Sequence, residues 1–187
     1  MKVVKLHDAL KSREITEAIV KGSVFVYPTD TLYGIGCNAE NAEAVKRVCE
    51  AKQRPPDKPF SVIVPSKDWI RENTVISKEN MEFVNNLLPG PYTIILKAKK
   101  AIPFVTSKEK TMGLRIPRNE FCDLIREQGI LFVTTSVNLS EDEPVTSVKD
   151  IPAQMKERVD FAIDAGELGR YGSRVFDLTK GFEIVRF

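Results

Sequence analysis

Short apolar runs alternate along this chain with stretches of helical periodicity, and that alternation restricts the fold more than any other feature. Ser23 to Tyr27 (SVFVY), Phe60 to Val64, Tyr92 to Ala98, Gly113 to Ile116 and Ile130 to Thr135 are each four to seven residues long. Runs of that length bounded by Gly and Pro read as buried strands. Between them, residues 12–21 place Ile15, Ala18 and Ile19 on one face, and 41–52, 77–88 and 119–128 show the same spacing. Ser12, Asn41 and Ser77 can cap their first turns, Gly22 and Gly129 can end helices, and Pro89-Gly90-Pro91 stops the third abruptly. A further helix is expected within 147–159, with short strands at 160–163, 173–178 and 182–186. The pattern predicts α/β architecture: a single domain over residues 1–187 with one twisted mixed β-sheet flanked by helices. The strands are not separated by regular βα units, which argues against a plain doubly wound sheet. The stretch 99–112 is the expected mobile loop.

A chain of 187 residues can bury about 70% of its unfolded surface. With 42% apolar and 29% charged residues it is not a disordered composition. One histidine, His7, excludes any site needing two histidine ligands and leaves a His-based triad improbable. Cys37, Cys49 and Cys122 are odd in number and widely spaced, so they form neither a disulfide framework nor a C-x-x-C site, and a reducing cytoplasm is the expected home. No apolar run approaches the roughly 18 residues of a membrane span, and MKVVKLHDALKSRE has no signal-peptide core.

The net charge is only +2, but its distribution is uneven. Residues 46–58 carry five bases against two acids, 97–118 seven against one, and 137–167 three against eight. Such runs are ordinarily solvated faces; the functional reading of the two basic runs is a pocket for a polyanion such as a nucleotide triphosphate.

The common phosphate-binding motifs, G-x-x-x-x-G-K-[ST] and G-x-G-x-x-G, are absent. Four other stretches can carry chemistry. In Tyr27-Pro-Thr-Asp-Thr-Leu-Tyr-Gly-Ile-Gly36 a strand runs into small polar residues and two glycines, which either expose hydroxyls to a ligand or only close a turn. In Lys52-Gln-Arg-Pro-Pro-Asp-Lys-Pro59 the cations Lys52, Arg54 and Lys58 stand on a proline-stiffened segment suited to phosphate oxygens. A helix C-terminus alone accounts for Lys52, but not for Lys58. In Thr134-Thr-Ser-Val-Asn-Leu-Ser140, Ser136 and Asn138 project to one side if the strand continues. In Gly113-Leu-Arg-Ile-Pro-Arg118, Arg115 sits mid-strand and needs a ligand anion or an internal carboxylate if buried.

In this order and spacing, YPTDTLYGIG (27–36), KQRPPDKPFSVIV (52–64), LPGPYTIIL (88–96), GLRIP (113–117), TSVNLS (135–140) and SRVFDLT (173–179) resemble the threonylcarbamoyl-adenylate synthases with the YrdC-like fold, in their short single-domain branch. The resemblance implies an enzyme that joins L-threonine, bicarbonate and ATP into threonylcarbamoyl-adenylate and pyrophosphate, the activated donor for the t6A base of tRNA. It implies that Lys52, Arg54, Ser136 and Asn138 form a K-x-R…S-x-N set on the nucleotide, with Lys58 also facing phosphates. Lys52, Arg54 and Lys58 would carry the catalysis. Thr93, Thr146 and Arg186 would line the ATP pocket, and Thr31, Ser136 and Ser173 would lie at the threonine. Mg²⁺ would ride on the triphosphate, held by phosphate oxygens and water rather than by protein side chains. A closing loop, 99–112 or 139–150, would protect a labile intermediate. Expected partners are tRNA or double-stranded RNA and a downstream tRNA threonylcarbamoyl-transferase complex, with no membrane. The sequence departs from the family pattern at Asp30 (often Glu), Ile63 (often His), Glu141 (often Gly) and Arg174 (usually Thr). Two other readings stand beside this one: a non-catalytic RNA-binding module, and a paralogue using another carbamoyl substrate.

Overall fold

Five side chains fix where helices begin. Ser12, Asn41, Ser66, Ser77 and Asn119 each accept a backbone N–H of the first turn that follows, satisfying a donor with no partner inside its helix. The computed structural model describes residues 1–55, 58–139, 142–169 and 171–186. In chain order the elements are β1 (Lys2–Lys5), α1 (Leu6–Ala9), α2 (Arg13–Lys21), β2 (Phe25–Pro28), β3 (Tyr33–Gly36), α3 (Ala42–Lys52), β4 (Ser61–Ile63), α4 (Lys67–Asn73), β5 (Thr74–Val75), α5 (Lys78–Leu87), β6 (Tyr92–Ala98), β7 (Thr111–Arg115), α6 (Glu120–Glu127), β8 (Phe132–Ser136), α7 (Ala153–Lys156), β9 (Phe161–Asp164), β10 (Arg174–Asp177) and β11 (Glu183–Arg186).

The strands form one mixed sheet in the order β1-β9-β2-β3-β8-β4-β7-β6-β10-β11, with β5 paired to β6 off this path. β9 lies parallel to β1 and β2, β4 parallel to β7, and β6 parallel to β10, while the remaining pairs are antiparallel. Alternation along each strand sorts the core into two layers. Val24 and Val26, Val62 and Val64, and Val133 join α3, α4 and α5 on one face, through Val45, Val48, Ile70 and Val84. Phe25, Tyr27, Ile63 and Phe132 meet α2 and α6 on the other, through Ile15, Ile19, Phe121 and Ile125.

One expectation is met in shortened form and one needs correction. The helix expected within 147–159 is the short α7, preceded by a 3₁₀ turn at Val148–Asp150 and separated from it by Pro152, which disfavours a helical Ile151 before it. The stretch 99–112 is tied down: Phe60 N donates to Phe104 O at 2.8 Å, Val105 is fully buried, and Thr111 and Met112 belong to β7. β3 did not read as a strand because half of it is glycine. The glycines are demanded by proximity: a Cβ at Gly36 would sit 1.7 Å from Val133 O of β8. No helix among the described residues is long and apolar enough to cross a membrane.

Candidate functional site

The face that carries Phe25, Tyr27, Ile63 and Phe132 continues toward β7, β6 and β10, but there its side chains become small. Ser61 stands two residues before Ile63, and Thr134 and Ser136 follow Phe132 at the same spacing, so they point the same way. With Gly34, Gly113, Thr93 and Ser173 they line a cavity of about 430 Å³. Gly113 admits no side chain, because a Cβ there would meet Ser61 Oγ at 2.5 Å.

Among the described residues three arginines, Arg54, Arg115 and Arg186, line this cavity, and no Asp or Glu does. Arg115 is 8% exposed, and its Nη2 donates to Asp30 Oδ1 at 3.1 Å and to Thr31 Oγ1 at 3.3 Å. Asp30 Oδ2 also accepts Arg118 N at 2.9 Å, so the carboxylate anchors both the strand arginine and the turn before α6. Arg115 Nε is buried with no hydrogen-bond partner, and so is Arg54 Nε. Arg54 Nη2 donates to Pro59 O at 2.7 Å, and its guanidinium lies 4.8 Å from the Phe60 ring centre. Burial, opposed by the Cys49 thiol, lowers the Arg54 pKa. Arg186 donates from Nε and Nη2 to Ser173 O, and from Nη2 to Ser173 Oγ at 3.1 Å; Ser173 Oγ in turn lies 2.7 Å from Thr93 Oγ1. Burial and then Arg115 push the Arg186 pKa down, as expected of cations held close together.

The 27–36 stretch does both things its sequence allows. Thr29 closes the turn, donating to Leu32 O at 2.7 Å and accepting Thr31 N and Leu32 N. Thr31 and Gly34 face the cavity.

Lys52 differs from a phosphate ligand in its setting. Its ammonium donates to Ser136 O at 2.7 Å, Asn138 O at 2.9 Å and Asn138 Oδ1 at 2.7 Å. Burial, then the nearby Arg54, lower its pKa to about 8. The structure thus brings the K-x-R and S-x-N segments together, with Lys52 and Asn138 behind the lining and Ser136 and Arg54 on it. Thr31, Thr93, Ser173, Arg115 and Arg186 also line the cavity. Besides Lys52 and Asn138, two further expected residues do not. Lys58 is exposed and outside the lining, because the chain turns Pro59 and Phe60, not Lys58, toward the site. Thr146 is half-buried outside it, its carbonyl accepting Leu168 N at 2.8 Å. Ile63 is fully buried against the α2 and α6 layer and makes no part of the lining. Arg174 is exposed on β10, and Glu141 lies outside the described residues. Sequence reasoning missed Ser61, Thr111, Thr135 and Gly172; of these, the two-residue spacing from Ser61 to Ile63 was the available signal.

The thiols offer no nucleophile. Cys37, Cys49 and Cys122 are all buried, and burial pushes the Cys37 thiol up to about 12. Among the described residues no group of three or more His, Cys, Asp or Glu side chains is placed to hold a metal ion.

A family model described as "Telomere recombination" (Sua5, YciO, YrdC) matches residues 17–187. A Methanocaldococcus jannaschii protein provisionally named threonylcarbamoyl-AMP synthase is 35% identical over 173 residues, covering 89% of this chain and 82% of that protein. The crystal structure of E. coli YciO superposes with a TM-score of 0.84 at 28% identity, covering 99% of this chain and 92% of YciO. P. abyssi Sua5 in complex with L-threonine gives a TM-score of 0.81 at 26% identity over 95% of this chain, which spans 54% of Sua5. The match over nearly the whole chain, together with the shared fold, settles the lineage: this chain belongs to the Sua5/YciO/YrdC family.

Proposed function

We propose that the chain is an L-threonylcarbamoyladenylate synthase, converting L-threonine, bicarbonate and ATP into threonylcarbamoyl-AMP and pyrophosphate. The observation that carries this reading is the cavity lined by three arginines and a row of hydroxyls, with no carboxylate among the described lining residues. Such a lining suits a ligand set that is anionic at several points, as a triphosphate, a carboxylate and a carbamate are.

The chemistry asks for positioning rather than a protein nucleophile. The threonine amine combines with bicarbonate, with loss of water, to give a carbamate. A carbamate oxygen then attacks the α-phosphorus of ATP, and pyrophosphate leaves. Arg54 and Arg186 are assigned to the phosphates, where negative charge moves onto the leaving group. Arg115, already neutralised on one side by Asp30 and lining the cavity, is assigned to the threonine carboxylate. Thr93 acts through Ser173, which holds Arg186. With no carboxylate among the described lining residues, Mg²⁺ would enter on the triphosphate, held by phosphate oxygens and water. The product is a reactive mixed anhydride, so a transferase acting on tRNA is its natural consumer.

Purified protein with Mg²⁺ and ATP should release pyrophosphate only when threonine and bicarbonate are both present. Release that is absent, or indifferent to threonine, contradicts the assignment.

A further inference from the structure

The direction of one hydroxyl follows from the partners around it. A lysine ammonium only donates hydrogen bonds, so the Asn138 carboxamide must turn its oxygen toward Lys52. Its nitrogen then donates to Asp142 O at 2.8 Å, which fixes the amide from the other end. The same oxygen accepts the Ser136 hydroxyl proton at 2.6 Å. Ser136 has a single proton, so it faces the cavity with lone pairs only.

A phosphate oxygen is an acceptor and gains nothing from such a hydroxyl; an N–H does. We infer that Lys52 is a positioning residue which, through Asn138, holds Ser136 as the hydrogen-bond acceptor for the amino nitrogen of the amino-acid substrate, and that it is not a phosphate ligand. The inference rests on the reading above for the identity of the amino acid, but the role of Lys52 does not. The ammonium donates to Ser136 O, Asn138 O and Asn138 Oδ1, the residues that stand between it and the cavity, and Lys52 is absent from the lining.

The test is calorimetric titration of the full chain with a non-hydrolysable ATP analogue, and with threonine in the presence of that analogue. The variants are Lys52→Met, Ser136→Ala, their double, and Arg54→Met as the phosphate control. Lys52→Met and Ser136→Ala should each weaken threonine by tenfold or more, the scale of one hydrogen bond to a charged group, while the analogue stays within about threefold. Arg54→Met should weaken the analogue by tenfold or more. The double variant should bind threonine about as poorly as the worse single, because both remove one interaction. Asn138→Asp, which can still accept from Ser136 and Lys52, should keep threonine within about threefold, whereas Asn138→Leu should lose it; this pair decides the matter if Lys52→Met does not fold. Loss of the ATP analogue by Lys52→Met to the extent seen for Arg54→Met overturns the inference, and so do multiplicative losses in the double variant. A wild-type protein that binds the analogue but releases no threonine-dependent pyrophosphate would refute the proposed function, while Lys52 would still be judged by the analogue titration.

Discussion

Arg115 Nη2 lies 3.1 Å from Asp30 Oδ1, and both side chains are about nine-tenths buried. The pair joins the turn after β2 to the end of β7, 85 residues apart. Removing one partner of such a pair leaves the other charge buried alone. Asp30→Asn should therefore destabilise the protein by about 3 kcal/mol, measured by urea unfolding, and should raise the threonine KM more than the ATP KM. Asp30→Glu should retain most of both, since a carboxylate remains.

Arg54 combines an unpartnered buried Nε with a guanidinium on the wall of the cavity. Arg54→Ala should lower kcat/KM for ATP about ten- to a hundredfold, as expected for charge-assisted hydrogen bonds. Lys58→Ala, a substitution on the exposed surface, should stay within about twofold of wild type. Steady-state kinetics with varied ATP separates the two.

Lys52 makes the protein's stability depend on pH in a definite direction. Its folded pKa is about 8 against 10.5 for the ordinary side chain, chiefly because burial disfavours the charged form. Between those values the unfolded chain holds a proton that the folded chain has released, so stability rises with pH. Below about pH 8 the cost of burying the charge is fully present. The wild-type minus Lys52→Met difference in unfolding free energy should thus shift in favour of wild type by about 1–3 kcal/mol between pH 7 and 10. A flat difference would mean that Lys52 is not titrating there.

Gly36 is the tightest approach in the sheet around the site. Its would-be Cβ lies 1.7 Å from Val133 O, and a backbone atom cannot move aside as a flexible side chain can. Gly36→Ala should separate β3 from β8 and lower stability by about 2–4 kcal/mol by chemical denaturation, with loss of turnover. Gly129→Ala, where nothing lies within 4 Å but φ is +70°, should cost only about 1 kcal/mol.

Much of this arrangement was legible in the sequence because its signals are local. Ser12, Asn41 and Ser77 mark helix starts by type and spacing, and all three cap as expected. β6 was readable to the residue, Tyr92 to Ala98, because Pro91 and Lys99 bound an apolar run. α4 was missed although Ser66 caps it, since seven residues with few apolar positions give little periodicity. β1 was missed because an exposed edge strand, KVVK, lacks a buried face to imprint a pattern. At the site, residue types pointed to Arg115 and even to its internal carboxylate, but Asp30 is 85 residues away and no local pattern pairs them. Lys58 shows a different limit: a charged type in a suggestive motif says nothing of which way the chain turns it. The acceptors of Lys52, Ser136 and Asn138, are met only in the folded sheet.

The most direct measurement of the central claim is the product itself. The protein should be incubated with ATP, Mg²⁺, L-threonine and ¹³C-bicarbonate, then quenched and examined by mass spectrometry. The account predicts a threonylcarbamoyl-AMP species carrying one ¹³C atom, formed with one pyrophosphate and abolished when threonine is omitted. Unlabelled product, or ATP turnover that yields no carbamoyl-adenylate, would contradict it.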